Sequence, residues 1–418
     1  MENSQPEGTP YDAIVVGAGP SGASAALFLA KEGKKVLLLD KSDFPREKVC
    51  GDAFSGKSIG VMRELGLLRF IEQHPHGIVR GVRMVSPNGK SVSVPFPNAD
   101  GMDFAGYTIA RINTDNILFQ SASANPNIKT ITGFHAQGLI KNSNGAVYGV
   151  EGIGKDGAKI SFKSRVVIGA DGAASAVSRL VGLPNQPMEH IYSAIRGYWD
   201  GVDGLTEDIE LYFIDGVLPG YLWVFPMGNR RANVGLGILS SDLKARKHPN
   251  SMLLEALASH SMLSTRFKNA TQCGKIGGWS IPLGSCKKKS VGEGWLLVGD
   301  AASLVDPFSG EGMGNALSSG KFAAQIISEA LSKEKGDAPL SEKSLLGYAS
   351  LIDSALRPEM ENSYKLQKLS RLRFLLNLFI GKAASKPEAR QMVINMLASD
   401  EAKKKVESPF FFIRLLLP

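Results

Sequence analysis

The chain has 418 residues, of which 43% are hydrophobic and 21% are charged, so disordered and low-complexity classes are excluded and a sizeable core can form. Three cysteines are too few for a disulfide framework, and we find no run of about 18 apolar residues that would span a bilayer. The formal net charge of +8 comes without a motif for reading nucleic acid. We therefore expect a reduced, cytoplasmic globular protein that binds no nucleic acid.

The first organised segment begins at about residue 11. A β-branched run passes through Gly17, Gly19 and Gly22 into an alanine-rich helical pattern, and a second apolar run ends at Asp40. Gly17 permits a tight turn, Gly19 lets the backbone approach a pyrophosphate, and Gly22 lets helix and strand pack closely. Asp40 follows at the distance expected for a hydrogen bond to a ribose hydroxyl. The segment predicts a dinucleotide-binding unit.

Two later segments have the same strand–turn–helix pattern. Asp171 and Gly172 follow one buried apolar run, and Asp300 follows another, ahead of a glycine-rich loop at residues 307–314. Each alone fits an ordinary turn between a strand and a helix. In this order they resemble the large family of FAD-dependent enzymes that includes the aromatic hydroxylases built like p-hydroxybenzoate hydroxylase. There the counterpart of Asp300 holds the ribityl chain of FAD and the loop lies beside the isoalloxazine ring. The resemblance implies FAD as the cofactor.

Two short motifs resemble the geranylgeranyl reductases of this family. Residues 45–52, PREKVCGD, are similar to their P-R-x-K-x-C-G-[GD] segment, and residues 219–226, PGYLWVFP, to their P-x-Y-x-W-x-F-P motif. Arg111 fits the family's arginine at the start of a helix that reaches the flavin. The resemblance covers residues 11–340 and implies a set of cofactor-binding residues. They are Gly17, Gly19, Pro20, Ser21, Gly22, Asp40, Lys41, Arg46, Cys50, Gly51, Arg111, Asp171, Gly172, Gly299, Asp300, Pro307, Gly310, Gly312 and Met313.

The order of the elements predicts an α/β fold with an α+β insert. We expect a Rossmann-like FAD-binding domain, an antiparallel-sheet substrate domain inserted into it, and a helical C-terminal region. The predicted boundaries are 1–80, 104–184 and 283–340 for the discontinuous FAD-binding domain, 81–103 and 185–282 for the substrate domain, and 341–418 for the helical region.

The candidate catalytic residues are Cys50, Tyr221, Trp223 and Phe225. The three aromatic residues alternate at the period of a strand, so they share one face, which fits a core strand as well as the wall of an apolar pocket. An isolated alkene is poorly polarised toward hydride, so a proton must accompany the hydride, and aromatic faces stabilise the positive charge that develops.

Cys50 is the candidate proton source. It lies beside Lys48 in a polar loop, where we expect a nearby cation to lower its pKa; a small buried residue without chemistry is the alternative. The six histidines have no metal-ligand spacing with the cysteines, so no metal site is expected.

The tail is helical in pattern and basic, with twelve basic against six acidic residues from Arg357 to Pro418. Six apolar residues fall on one helical stripe. Three interpretations of this stripe are open: it packs on the body of the protein, it contacts a partner protein, or it lies in a membrane interface. The terminal apolar run from Phe410 and the positive charge favour peripheral contact with an anionic membrane. The stripe consists of Leu366, Leu369, Leu372, Leu375, Leu376 and Phe379.

The resemblance implies a reductase that saturates prenyl chains of a lipid, quinone or chlorophyll-type substrate. A flavin monooxygenase or halogenase is the alternative, since halogenases have a similar W-x-W-x-I-P segment. A flavin enzyme without net oxidation, like the lycopene cyclases, or a prenyl-binding chaperone is a third class. No second dinucleotide motif marks a nicotinamide site, and a basic protein can dock an acidic carrier, so NADPH and ferredoxin both remain as electron donors.

Overall fold

The computed structural model describes residues 11–398, with the side chains of residues 244, 245 and 396–398 left out. The terminal apolar run from Phe410 lies outside the described residues. In chain order the strands are β1 (Ala13–Val16), β2 (Val36–Leu39), β3 (Ala53–Phe54), β4 (His76–Val79), β5 (Gly81–Val85), β6 (Ser91–Pro95), β7 (Gly106–Ile109), β8 (Ile128–Ile131), β9 (His135–Lys141), β10 (Val147–Ile153), β11 (Lys159–Lys163), β12 (Val167–Gly169), β13 (Ile191–Asp200), β14 (Asp208–Tyr212), β15 (Tyr221–Pro226), β16 (Ala232–Leu239), β17 (Thr271–Pro282), β18 (Val291–Gly292) and β19 (Trp295–Leu297).

The helices connect these strands and form most of the C-terminal region. They are α1 (Pro20–Lys31), α2 (Gly56–Glu64), α3 (Leu68–Ile71), α4 (Arg111–Ser123), α5 (Ala176–Leu180), α6 (Pro249–Ser259), α7 (Ser264–Phe267), α8 (Met313–Lys333), α9 (Glu342–Ala355), α10 (Arg357–Leu369), α11 (Arg373–Ser385) and α12 (Pro387–Ala398).

The first large sheet has six strands in the order β18-β19-β12-β1-β2-β8. All neighbours in it are parallel except β18 and β19. Every residue of β1 and β2 is buried, as expected for parallel strands covered on both faces. α1, which follows β1, packs against α8, and Gly320 permits their close approach because a Cβ there would overlap the Ser21 carbonyl. This layer is the predicted Rossmann-like unit.

The second large sheet has seven strands in the order β17-β13-β16-β15-β14-β5-β6. Its pairs are antiparallel, as predicted, except that β5 runs parallel to β14. One face of this sheet packs on α6 and α7, where Leu222, Val224 and Leu236 share an apolar cluster with Leu253 and Phe267. The opposite face remains for the functional site.

Smaller elements complete the fold. An antiparallel meander is formed by β11, β10 and β9, and a three-stranded sheet has the order β3-β7-β4. In the C-terminal region α9 packs on α8, α10 on α9, and α11 on both β6 and α12. None of the helices between residues 11 and 398 combines the length and apolar character that a membrane span requires.

Candidate active site

One cavity of about 1310 Å³ lies where the two large sheets and the C-terminal helices meet. It exceeds the roughly 300–1,000 Å³ of an ordinary small-molecule site, so it is large enough for a dinucleotide together with a second molecule. Nineteen of the residues predicted from the sequence line it. They are Gly17, Gly19, Pro20, Ser21, Asp40, Lys41, Arg46, Cys50, Gly51, Arg111, Asp171, Gly172, Tyr221, Trp223, Phe225, Asp300, Gly310, Gly312 and Met313.

Three predicted residues, Gly22, Gly299 and Pro307, do not line the cavity. Gly22 sits under the turn, where a Cβ would overlap the Gly17 carbonyl. Gly299 has φ +57°, and a Cβ there would lie 2.7 Å from the Ser21 Oγ. Pro307 accepts a hydrogen bond at its carbonyl from Gln367 Nε2 at 2.8 Å. These positions support the wall of the cavity from behind.

Gly17 and Gly19, both in the first turn, differ in backbone conformation and in the space around them. Gly17 has φ +105°, and a Cβ there would overlap the carbonyl of Ala170, so the fold itself requires glycine. Gly19 has φ −71° and ψ −176°, which any residue adopts, and its Cβ would meet only the Arg46 guanidinium, at 3.7 Å. The space beside Gly19 is therefore open to the cavity at the N-terminus of α1. An anionic pyrophosphate fits this place.

Asp40 closes the same turn from the end of β2. Its Oδ2 accepts a hydrogen bond from the Ala18 amide at 2.8 Å, and its Oδ1 accepts one from the Ser42 amide at 2.8 Å. A carboxylate has about four acceptor sites, so each oxygen keeps one for a ligand hydroxyl. The carboxylate lines the cavity and is suited to the ribose contact predicted for it.

Two arginines are fixed on the cavity wall by one buried carboxylate. Arg111 makes two hydrogen bonds to Asp115, at 2.6 and 2.8 Å, and Arg46 approaches the same carboxylate at 3.2 Å. Asp115 is fully buried. Burial acts to lower the pKa of Arg111, but Asp115 and Cys50 raise it above its ordinary value. Two cations share one anion here, which favours an anionic or electron-rich ligand.

The two later acids of the motif are both half-buried and line the cavity. Asp171 caps α5, accepting hydrogen bonds from the Ala176 and Val177 amides at 2.6 and 3.1 Å. Burial raises the pKa of Asp171 and also that of Asp300, where Lys48 and Arg111 oppose the effect of burial. Asp171 thus holds a helix terminus, while Asp300 has capacity to bind a ligand hydroxyl.

The aromatic strand β15 faces the cavity. Tyr221, Trp223 and Phe225 all line it, with ring centroids 6.3 and 6.2 Å apart along the strand. The alternate residues point the other way into the core under α6, so the pocket interpretation of this strand is the correct one. The strand β16 opposite carries Gly235, where a Cβ would overlap the Trp223 indole, and Gly237, where it would meet nothing within 4 Å.

The Cys50 loop packs on this strand. A Cβ on Gly51 would lie 3.2 Å from the Phe225 ring, and the Cys50 carbonyl accepts a hydrogen bond from Asn233 Nδ2 at 2.8 Å. Burial raises the pKa of the Cys50 thiol, and the opposing effect of Arg111 is smaller, so the predicted lowering of this pKa is wrong. The thiol therefore stays protonated at neutral pH.

Lys48, the cation expected to act on Cys50, is directed elsewhere. Its ammonium lies 3.2 Å from the centroid of the Trp279 ring, and burial lowers its pKa to about 8. Burial, which the sequence alone does not reveal, decides both pKa shifts in this loop.

Sequence reasoning missed three polar residues, one in this wall and two behind it. Asp52 ends the Cys50 motif, Tyr198 lies on β13 and Asn233 on β16. Asn233 accepts a hydrogen bond at Oδ1 from Trp223 Nε1 at 2.9 Å and donates from Nδ2 to Asp52 Oδ2 at 2.8 Å. Asp52 was part of a recognised motif, but no local signal marks Tyr198 or Asn233, which reach the site through strand register.

A second part of the cavity is apolar. Tyr221, Phe213 and Leu376 belong to one apolar cluster between the seven-stranded sheet and α11. Five residues of the predicted C-terminal stripe line this part of the cavity, so the stripe packs on the body. The sixth, Leu372, lies between α10 and α11 and is 45% exposed, so the prediction of one continuous stripe is wrong there. The five are Leu366, Leu369, Leu375, Leu376 and Phe379.

The described part of the chain contains no group of three or more His, Cys, Asp or Glu side chains that would hold a metal ion. The open space at Gly19, the adjacent helix terminus and the two arginines instead fit a dinucleotide. These residues would hold FAD with its pyrophosphate at the N-terminus of α1.

Comparison with known proteins agrees with this geometry. The family model described as FAD binding domain matches residues 10–343. The chain is 32% identical over 326 residues to the menaquinone reductase of Mycobacterium tuberculosis, covering 76% of each chain. It is 34% identical over 413 residues to digeranylgeranylglycerophospholipid reductase 1 of Methanothermobacter thermautotrophicus, covering 95% of each chain.

Solved structures are similar as well. A geranylgeranyl bacteriochlorophyll reductase-like protein from Thermoplasma acidophilum has a TM-score of 0.81 and 26% identity, covering 96% of this chain and 99% of that one. A flavin-dependent brominase has a TM-score of 0.77 at 21% identity, covering 93% of each chain, and shares the fold. The predicted fold class and the FAD cofactor are confirmed. The chain belongs to the FAD binding domain family and, within it, to the FAD-dependent reductases that include geranylgeranyl-type and menaquinone reductases.

Proposed function

We propose that this protein saturates isolated double bonds in the prenyl chain of a lipid, quinone or chlorophyll-type substrate. The observation that carries the proposal is the aromatic row of β15, which joins the two parts of the cavity. Phe225 packs on the Cys50 loop, while Tyr221 belongs to the apolar cluster with Leu376 of α11. A long apolar chain in the second part thereby brings a double bond to the aromatic side chains and the thiol.

The cofactor is held by the turns of the six-stranded sheet. Gly19 leaves room for a pyrophosphate, Asp40 would accept a hydrogen bond from the ribose, and Arg46 and Arg111 line the same cavity. Once reduced, bound FAD supplies a hydride. The apolar lining from α10 and α11 excludes water from the alkene.

The chain's own residues supply the proton and the charge stabilisation. The Cys50 thiol holds a proton at Sγ, since burial keeps its pKa above the ordinary value. The faces of Trp223 and Phe225 stabilise positive charge on the more substituted carbon, at roughly 1–2 kcal/mol per desolvated contact. Asn233 fixes the Trp223 ring through its indole N–H.

The test of this activity is anaerobic incubation of photoreduced enzyme with geranylgeranyl lipids, followed by lipid mass spectrometry. Each saturated double bond adds two hydrogens to the lipid, and cofactor oxidation should match the number of bonds saturated. Formation of a hydroxylated or halogenated product on admitting oxygen would favour the monooxygenase or halogenase alternative instead.

The electron donor is NADPH or ferredoxin in this proposal. The Lys48–Trp279 pair at the cavity wall presents a cation and an aromatic face, and Trp279 is 38% exposed. Anaerobic bleaching of the flavin absorbance by each donor separately distinguishes the two. The donor that reduces the flavin at least as fast as the enzyme turns over its substrate is the physiological electron donor.

Peripheral contact with an anionic membrane completes the proposal, because prenyl lipids reside there. Phe374 is 65% exposed and Leu372 is 45% exposed, next to the cavity-lining Leu375. Arg371 precedes these two residues and Arg373 lies between them, and the two arginines are paired with acidic residues at 3.1 and 2.9 Å. Co-sedimentation with anionic vesicles, but not with zwitterionic ones, is expected, and Phe374→Ser should weaken it.

A further inference from the structure

Asp52 is a buried acid in a backbone conformation that side chains other than glycine seldom adopt. Its φ is +66°, and the residue is 1% exposed. A glycine would avoid both the strained φ and the burial of a carboxyl group, so the side chain must contribute something that offsets these costs. The position also lines the cavity, two residues after Cys50.

The carboxyl group of Asp52 is held at both oxygens. Tyr198 donates its hydroxyl hydrogen to Oδ2 at 2.6 Å, and Asn233 Nδ2 donates to the same oxygen at 2.8 Å. The backbone amide of Arg111 donates to Oδ1 at 3.3 Å. Because Asn233 Nδ2 also bonds the Cys50 carbonyl, one amide group ties the acid to the Cys50 loop.

The charged groups around the acid come from three elements. Arg111 begins α4 and also hydrogen-bonds the Cys50 sulfur, whereas Arg196 on β13 lies over the Tyr198 ring at 4.2 Å. Arg196 is paired at 3.3 Å with Glu47, whose side chain is 66% exposed. The Asp52 amide itself bonds the Cys50 thiol. The Cys50 thiol therefore contacts the backbone of Asp52 and lies within electrostatic range of its carboxyl group.

Burial raises the pKa of Asp52 to about 6, although the Tyr198 hydroxyl, Arg196, Asn233 and Arg111 all act to lower it. A carboxyl group with this pKa exists in both protonation states near neutral pH. Burial holds the pKa of the Cys50 thiol above its ordinary value. Proton transfer from the Asp52 carboxyl group to a Cys50 thiolate is therefore favourable, because the thiol has the higher pKa.

Tyr198 is the candidate link between this pair and water. Its hydroxyl touches Asp52, and the residue is half-buried while Asp52 itself is enclosed. A hydroxyl both donates and accepts hydrogen bonds, so it can pass a proton inward from solvent.

We propose that Asp52 is the proton store that reloads the Cys50 thiol between successive double-bond reductions, with the Tyr198 hydroxyl as its link to solvent. The inference rests on the proposed reductase function. In each cycle one alkene carbon receives the hydride and the other receives the Cys50 proton, so S–H breaks, C–H forms and a thiolate remains. The Asp52 O–H then breaks as S–H re-forms, and solvent returns a proton to the carboxylate through Tyr198.

The test compares Asp52→Asn and Tyr198→Phe with Asp43→Asn, which changes an exposed aspartate in the same loop region, ion-paired with Lys155 at 2.8 Å. Asparagine tolerates positive φ and keeps most of the hydrogen bonds. We expect the first double bond of a photoreduced, single-turnover reaction to be reduced at the wild-type rate in Asp52→Asn. Each later reduction requires the flavin to be reduced again, so these steps are followed anaerobically with excess dithionite, where they should slow by about 100-fold in Asp52→Asn and by less in Tyr198→Phe. Asp43→Asn should behave as wild type.

The pH profile gives a second readout. Asp52 donates only while protonated, so the wild-type rate of the later reductions should fall as pH rises through about 6, and Asp52→Asn should lose this dependence. Difference infrared spectroscopy, which needs no turnover, should show a protonated carboxyl band that titrates near pH 6 in wild type and is absent in Asp52→Asn.

Three outcomes would overturn the proposal. They are wild-type rates for all reductions in Asp52→Asn, an unchanged pH profile in that variant, and a carboxyl band that persists after the substitution. If instead the wild-type enzyme reduces no prenyl double bond, the proposed function fails. The infrared titration then still decides whether Asp52 exchanges a proton in the neutral range.

Discussion

Gly17 and Gly19 stand two residues apart in the first turn, yet replacing each by alanine should have opposite consequences. Gly19 has an ordinary extended backbone, and an added Cβ would meet only the Arg46 guanidinium, at 3.7 Å. Gly19→Ala should therefore fold normally while its methyl group occupies the place of the pyrophosphate. Gly17 has φ +105°, and its Cβ would overlap the Ala170 carbonyl, so Gly17→Ala should damage the fold.

The magnitudes follow from these contacts. A phosphate displaced by the Gly19 methyl loses at least one backbone hydrogen bond, and a hydrogen bond to a charged group contributes about 1.5–3 kcal/mol. The dissociation constant for FAD should rise about 10- to 150-fold. In Gly17→Ala the left-handed backbone costs about 1–2 kcal/mol, and the overlap adds to this loss of unfolding free energy.

The assay titrates FAD into flavin-depleted protein, using the change in flavin fluorescence, and measures unfolding in urea in parallel. Gly60→Ala is the matched control, because a Cβ at this position in α2 meets nothing within 4 Å. It should bind FAD normally and be as stable as wild type or more stable, by up to about 1 kcal/mol. Wild-type FAD affinity in Gly19→Ala would refute the assignment of the pyrophosphate to this turn.

Four further substitutions test the rest of the cavity. Cys50→Ala and Trp223→Leu should keep FAD and chemical reduction of the flavin, but slow single-turnover alkene reduction, by about 5- to 30-fold for the lost aromatic contact; unchanged reoxidation by the prenyl substrate would place the reaction elsewhere. Gly237→Leu should fill the cavity and raise KM for the prenyl substrate at unchanged FAD content, and a wild-type KM would exclude this part as the substrate site. Asp115→Asn should lower the unfolding free energy by about 3–5 kcal/mol in urea titrations, because it leaves the Arg111 cation buried without its partner; a loss below about 1 kcal/mol would show that this pair is not needed.

The fold was predictable because its signals are local. The glycine turn at residues 17–22 depends on the positive φ of Gly17 and the close packing at Gly22, which few other sequences satisfy, and it is flanked by two fully buried strands. The aromatic alternation of β15 likewise specifies one face without further information. What local pattern did not settle was which face met the cavity, since both sides of β15 are buried and periodicity is the same for a core strand.

The polar part of the site was not predictable because it depends on register between distant strands. Asn233 on β16 pairs directly with Tyr198 on β13 and with Phe225 on β15, so the three side chains form a row across the sheet. A shift of one residue in either pairing would turn Asn233 to the opposite face. The prediction of a lowered pKa for Cys50 was wrong for a related reason. The nearby cations were visible in the sequence, but the larger effect of burial was not.

The hydrogen bonds of Asn233 show why this position carries an amide rather than a carboxylate. Its Oδ1 accepts the Trp223 indole hydrogen, and its Nδ2 donates to both the Cys50 carbonyl and Asp52. A carboxylate in its place would accept from Trp223 but would place an acceptor against two other acceptors. The opposite faces of β15 and β16 pack in the apolar cluster under α6 and α7. This packing restrains the two strands and therefore holds the Asn233 amide in place. The geometry of the thiol, the acid and the aromatic face is thus fixed by the same two strands that stabilise the second sheet.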